Sequence, residues 1–201
     1  MITDNIDLPN LGILLVDTPK DLLKDIKKEV HNKKNRKKYK TGISSNKIAT
    51  HYTLKDTKSK LDNFLKICLE EYEKKYNFIF SHASKTLNRK NIDLIFTETW
   101  FNVQKKGEFL SNHFHDGILS YTMWVDIPFE EKINETNEKF NSCFELLYTN
   151  IVGHIVSKKI FLDKSWEGKM IVFPATLVHC VYPFYKTNKD RISVAGNISI
   201  V

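Results

Sequence analysis

Long hydrophobic runs are missing from this sequence of 201 residues. No stretch of 18 apolar residues occurs, so no membrane-spanning helix is expected. Cysteine is scarce: Cys68, Cys143 and Cys180 are three, odd in number and far apart. They suit neither a disulfide framework nor a cysteine zinc site, which points to a reducing, cytosolic setting. Arginine supplies only three of the 31 basic residues, whereas specific nucleic-acid readers lean on bidentate arginine. The first ten residues, MITDNIDLPN, are polar and acidic and do not read as a secretory signal. No Gly-rich phosphate loop and no Gly-x-Ser-x-Gly elbow is present.

What is present is unevenly placed. The formal charge is +7, with a balance of +9 in residues 1–92 and −2 in 93–201. The excess favours non-specific attraction to acidic partners without predicting nucleic-acid binding. The first half reads helical. Gly12–Val16 is a short apolar strand. Asp17 or Thr18 can cap a helix that has Pro19 in its first turn and Leu22, Leu23, Ile26 and Val30 at helical spacing. His31–Lys40 reads as a solvated basic loop; a nucleic-acid or membrane-surface patch is the sharper alternative. Ile48–Leu54 is a short strand. Thr57 can cap a second helix running to about Tyr76, with Leu61, Phe64, Leu65, Cys68, Leu69 and Tyr72 on one face. Ser81–Asn91 reads as polar linker.

The second half changes character. Short β-branched and aromatic segments follow at Ile92–Gln104, Ile118–Ile127, Phe140–Thr149, Ile151–Phe161, Lys169–Phe173, Leu177–Tyr182 and Ile192–Val201, punctuated by Gly107, Gly117, Gly153, Gly168 and Pro174. Many strands without intervening helices predict a sandwich or barrel, the jelly roll included.

His113 and His115 stand two apart, so on an extended segment they share a face. His179 lies 64 residues later, near the start of another expected strand. A local pair plus one distant ligand builds a facial metal site with open positions; a polar loop pair plus one core histidine is the plainer reading. Arg191, Ser193, Ala195 and Asn197 share one strand face. An arginine pointing into a barrel needs an anion, and a guanidinium with a neighbouring hydroxyl suits a carboxylate. A surface arginine paired with Asp190 is the alternative.

Together these residues resemble the 2-oxoglutarate/Fe(II) oxygenases, whose pattern is His-x-(Asp/Glu), a distal His, then Arg-x-Ser about ten residues on. The resemblance is closer to small oxygenases of this kind from marine phages and bacteria. It rests on Trp100-Phe101-Asn102, His113-Phe114-His115-Asp116-Gly117, Phe173-Pro174-Ala175, Tyr182-Pro183-Phe184-Tyr185 and Arg191 to Asn197, and spans about residues 94–200. It implies a mainly β, double-stranded β-helix (jelly-roll, cupin-like) core at 92–201. Residues 1–91 would add supporting helices and short strands, making one oxygenase domain of α+β type. It implies Fe(II) on His113, His115 and His179, with 2-oxoglutarate as cosubstrate and dioxygen as oxidant. The far carboxylate would pair with Arg191, with Ser193 donating a hydrogen bond. Alternation adds pocket candidates: Asn102, on a face with Trp100 and Gln104, would reach the metal-bound carboxylate, Trp124 would stand beside the cosubstrate as in related barrels, and Asn197 lies on the Arg191 face; the plainer readings are a strand-end hydrogen bonder, a core residue and a barrel spacer. The expected reaction couples decarboxylation of 2-oxoglutarate to succinate and CO2 with oxidation of a C–H bond, most simply hydroxylation. The expected compartment is the cytoplasm, the host's if the gene is a phage's.

One position departs from the general pattern: His115 stands where the carboxylate ligand is expected. A three-His site, a site completed by Asp116, and a site of His113 and His179 alone all remain open at this point, as does an orienting role for His115. Rival functions are a cupin-type metal barrel, which has no need of Arg191 and Ser193, and a jelly-roll binding or structural protein, which has no need of converging histidines. A nucleic-acid module using Lys33–Lys40 is disfavoured because only Tyr39 is interleaved there for stacking. His154, His51 and His82 are set aside as unpaired, and Cys180 is expected to point away from the His179 face. The primary substrate is not specified, and the segments Phe129–Asn141 and Tyr185–Asp190 are expected to shape access to the site.

Overall fold

The computed structural model describes residues 10–39, 49–87, 92–129 and 141–201. Most of the access segment Phe129–Asn141, the last four residues of the expected linker Ser81–Asn91, and the first nine residues therefore lie outside the description. Along the described chain run β1 (Leu14–Asp17), α1 (Lys20–His31), β2 (Thr50–Thr53), α2 (Lys58–Tyr76), α3 (Ile79–Leu87), β3 (Leu94–Gln104), β4 (Leu110–His113), β5 (Leu119–Asp126), β6 (Cys143–Thr149), β7 (Ile155–Phe161), β8 (Lys169–Pro174), β9 (Val178–Val181) and β10 (Arg191–Ile200). The strands form two antiparallel sheets, one in the order β1-β8-β5-β10-β3-β2 and one in the order β4-β9-β6-β7. This is the jelly-roll core expected of the second half, with β1 and β2 of the first half added at the two edges of the larger sheet.

Alternation assigns the faces. Leu119, Tyr121, Met123 and Val125 of β5 join Phe101, Val103, Ile192 and Val194 on the outer face of the larger sheet. There they bury against Leu22, Ile26 and Val30 of α1 and Leu61, Leu65, Leu69 and Tyr72 of α2. Burying one such aliphatic side chain stabilises the fold by about 1.5–3 kcal/mol, so the helices are held chiefly by this face. The intervening residues of the same strands point between the two sheets, where a second cluster forms around Trp124, Phe144 and Phe173. Ile127 also packs in this second cluster. It lies one residue beyond the end of β5, where strand alternation no longer sets its side.

Three local expectations are corrected. Neither Asp17 nor Thr18 caps α1: Thr18 Oγ1 donates to Met123 Sδ at 3.0 Å, and Asp17 pairs with Lys169 at 3.1 Å. Thr57 makes no side-chain cap for α2; Glu29 of α1 instead holds the turn that leads into the helix. Its carboxylate accepts the backbone N–H groups of Lys55, Asp56 and Thr57 at 2.6, 2.9 and 2.8 Å and the Thr57 hydroxyl at 2.6 Å. Glu29→Ala is therefore expected to cost about 2 kcal/mol, seen as a lower urea midpoint with unchanged m. The start of the expected linker, Ser81–Leu87, is helical, because Glu73 accepts the N–H groups of Ile79 and Phe80 and so starts α3.

The basic segment after α1 is also less loose than its composition suggests. Arg36 donates twice to the Val30 carbonyl, at 3.1 and 2.6 Å, and lies over the rings of Tyr52 and Phe101. Lys38 bridges to Tyr52, and the Tyr39 N–H donates to the His51 carbonyl at 2.9 Å. The segment thus runs as a partial extra strand beside β2, with its lysines outward. Among the described residues no helix is long and apolar enough to cross a membrane.

Candidate metal centre

The strand pairing brings the two histidine positions together. β4 and β9 are antiparallel neighbours in the smaller sheet, and His113 is paired directly with His179. A β-bulge between Leu110 and His113 re-aims the end of β4. His115 lies just past the strand, tied by its N–H to the Ala175 carbonyl at 2.9 Å. The Nδ1 or Nε2 atoms of His113, His115 and His179 come within 4.8 Å of one another. Asp116 is exposed and stands outside this triangle, while Cys180 is buried on the other face and donates its thiol to Glu145 at 3.7 Å.

Two of the rings are already oriented. His113 Nδ1 lies 2.7 Å from the Ser111 carbonyl, and His179 Nδ1 lies 2.8 Å from the Leu177 carbonyl. A carbonyl only accepts, so each Nδ1 carries the proton and each Nε2 keeps its lone pair for a ligand. This is the outer support that metal-ligating histidines ordinarily have. Burial lowers the pKa of all three rings. That of His115 falls to about 4, with further lowering by His113, and that of His179 to about 3. They stand as neutral imidazoles, the ligating form.

Facing the triangle is the inner side of the larger sheet. Ser193 of β10 is flanked by Asn102 of β3 and Trp124 of β5, and Ala195 by Trp100 and Thr122. Cross-strand partners share a face, so these rows make the floor of a cavity of about 320 Å3. Arg191 closes one end, opposite Gln104. Arg191 is 3% exposed, and its hydrogen bonds run to partners other than the neighbouring Asp190. It donates Nε and Nη2 to Gln104 Oε1 at 3.0 and 2.6 Å, Nη2 to the Tyr182 carbonyl at 2.9 Å, and Nη1 to Ser142 Oγ at 3.3 Å. Gln104 is itself fixed by donating Nε2 to the Glu108 carbonyl at 2.5 Å. All these acceptors are neutral, and among the described residues no carboxylate pairs with Arg191. Burial accordingly pushes its pKa down to about 9. Gln104 occupies the Nε–Nη2 edge, so an anion is left the second N–H of Nη1 rather than the full fork.

These features fit iron and 2-oxoglutarate on their own chemistry. Imidazole suits iron, one ring nitrogen from each of the three histidines converges, and a buried cation lacks its anion at the far end of the same cavity. Asn102 donates Nδ2 to Ser193 Oγ at 3.1 Å, and its Oδ1 is buried without a partner. Trp124 is both wall and core, packing edge-on against Phe144 and Trp166. Asn197 accepts from Ser120 Oγ at 2.9 Å and lines the opposite end of the floor.

The structure adds residues that sequence reading passed over. Gln104 was legible only as a face-mate of Asn102. Tyr39 stacks on Trp100 at 5.4 Å and 9°, and Trp100 in turn touches His115 at 5.7 Å, so the basic segment delivers an aromatic to the cavity wall. His51, set aside above, also lines the cavity, directly opposite Asn102 in the β2–β3 register. His154 is exposed at the β6–β7 turn and His82 packs on Phe78.

Comparison with known proteins adds the family. Residues 98–197 match the family described as "Putative 2OG-Fe(II) oxygenase". No curated protein gives a significant sequence match. Among solved structures, a Pseudomonas putida prolyl-4-hydroxylase is similar over 92% of this chain and 91% of its own, at 13% identity and TM-score 0.56. A 2OG-Fe(II) oxygenase family oxidoreductase from Burkholderia pseudomallei is similar over 94% and 84%, at 10% identity and TM-score 0.52. HygX from Streptomyces hygroscopicus, with nickel and 2-oxoglutarate bound, is similar over 94% and 83%, at 12% identity and TM-score 0.52. These likenesses establish the shared fold, and the matched segment contains the three histidines and the arginine just described; the chain belongs to the 2OG-Fe(II) oxygenases.

Proposed function

We propose that this chain oxidises a C–H bond of its primary substrate, with His113, His115 and His179 as the three protein ligands of Fe(II). The observation that carries the reading is the pairing, in one cavity, of a converging imidazole triangle with a buried guanidinium that lacks an anion. When bound, iron with 2-oxoglutarate and dioxygen supplies the oxidation, forming succinate and CO2 as the C–H bond is hydroxylated. The chain's own residues do the placing. Arg191 meets the far carboxylate through the second N–H of Nη1, and the Ser193 hydroxyl adds a hydrogen bond. Gln104 and Ser142 hold the guanidinium in position. Asn102 reaches the metal-proximal carboxylate, and Trp124 walls the pocket against water. Three neutral imidazoles leave a ferrous ion its full charge, so the site depends on anionic ligands more than a site with a protein carboxylate would.

The two parts of the chain serve one oxygenase domain on this reading. Residues 1–91 brace the outer face of the sheet, and 92–201 hold the chemistry. The three free cysteines, all buried, suit a reducing cytoplasm. Tyr39, Trp100 and Glu98 line the cavity wall against which the primary substrate would lie; a nucleic acid is not favoured, since the basic segment is folded against β2. The deciding experiment is anaerobic reconstitution with Fe(II), followed by oxygen and 2-oxoglutarate. Slow, iron-dependent succinate formation is expected even without primary substrate. Absence of both 2-oxoglutarate binding and turnover overturns the reading.

A further inference from the structure

Few residues lining the cavity hold buried polar side-chain atoms without a hydrogen-bond partner. Among those described, the atoms are Nδ1 and Nε2 of His51 and Oδ1 of Asn102. The two residues are direct partners across β2 and β3, so they lie at one level of one face. Buried polar groups left unpaired are costly, and here two neighbours in the cavity wall share that cost. A half-turn of the imidazole about Cβ–Cγ exchanges its nitrogens with Cδ2 and Cε1 at unchanged volume, and a half-turn of the Asn102 amide exchanges Oδ1 with Nδ2. His51 is part-exposed while both its nitrogens are buried, so its half-turn presents an N–H to the cavity with no backbone movement.

We infer that His51, with Asn102 beside it, hydrogen-bonds the oxo-acid end of 2-oxoglutarate where that end meets the metal; this rests on the reading of the site given above. The order of the strands selects that end. Arg191 and Ser193 both stand on β10, and Asn102 on β3 and His51 on β2 lie one and two strands across from Ser193. Neighbouring strands lie about 4.8 Å apart, so a diacid whose far carboxylate rests on Arg191 and Ser193 and which extends across the sheet brings its other end to Asn102 and His51, in the cavity that His113 also lines. A neutral imidazole offers that carboxylate one N–H.

The test is calorimetric titration of the full chain loaded with Mn(II), using 2-oxoglutarate and pyruvate, which has the oxo-acid end and lacks the far carboxylate. His51→Phe is expected to weaken both ligands on the order of tenfold and by the same factor, with Mn(II) affinity unchanged. His51→Gln, which keeps a donor, is expected to recover most of the loss. Arg191→Met is expected to weaken 2-oxoglutarate and leave pyruvate as it was. If His51→Phe binds both ligands like the parent chain, the inference is overturned and His51 is free for the primary substrate. Loss of Mn(II) affinity in both His51 variants also overturns it, making the residue structural. Failure of the parent chain itself to bind 2-oxoglutarate removes the underlying reading, and this one with it.

Discussion

Arg191→Met is expected to weaken 2-oxoglutarate binding by at least about 30-fold, because truncating one partner of a buried charge pair costs roughly 2–5 kcal/mol. Metal affinity should stay near that of the parent chain, since Arg191 belongs to the end of the cavity away from the histidines. The side chain contributes through its charge and the second N–H of Nη1; its other N–H groups serve Gln104, Tyr182 and Ser142. That charge is a cost to the folded chain before any anion arrives. A cation whose pKa falls to about 9 on burial penalises folding below that pH, and the penalty fades as pH rises above it. An anion that binds only the folded chain offsets this and raises the melting midpoint. 2-Oxoglutarate is therefore expected to raise the midpoint of the metal-loaded parent chain and to leave that of Arg191→Met unmoved. Calorimetry and thermal melts check both. Equal loss of metal and 2-oxoglutarate would make Arg191 a structural residue.

His179→Ala is expected to lower Fe(II) or Mn(II) affinity by more than about 100-fold, beyond the 10–100-fold typical of losing only an outer-shell partner. His179 sits at the centre of the site, 3% exposed, against Phe144 and Phe173 and opposite His113. Because the residue is buried, truncation also leaves a void, so the metal-free melting midpoint must be read beside the affinity. His115→Asp is the informative companion. It places a carboxylate where the general family pattern has one and is expected to keep the metal. Asp116→Asn is expected to change metal affinity little, as Asp116 is exposed and outside the triangle. A metal-binding loss in Asp116→Asn equal to that in His179→Ala would overturn the three-imidazole assignment.

The elements legible in the sequence are those with a strong period. The apolar faces of α1 and α2 and the alternation along β5 and β10 were all readable, because each follows from the geometry of one local segment. Local reading failed where a distant side chain decided the outcome. Ser81–Leu87 is polar enough to pass for a linker, yet Glu73 starts a helix there. Thr57 has the chemistry of a cap, yet Glu29, from another helix, takes its hydroxyl and its N–H. His51 looked solitary because its partner, Asn102, is separated from it by 51 residues and meets it only through sheet pairing.

The sequence by itself determined the chemical inventory: two histidines on one face, a third far along the chain, and an arginine with a hydroxyl two residues on. It also determined that the second half must bury alternating strands. The tertiary structure alone decided which side chains share a point in space. Register placed His113 against His179, Arg191 against Gln104, and His51 against Asn102. The bulge at the end of β4 and the tie from His115 to Ala175 left Asp116 outside the triangle. The reason is physical: a side chain's face follows from period two within its own strand, whereas its neighbour follows from how far one strand slides along another. A slip of one residue moves every side chain to the other face. That slide is fixed by the packing of both sheets together, to which no short stretch of sequence has access.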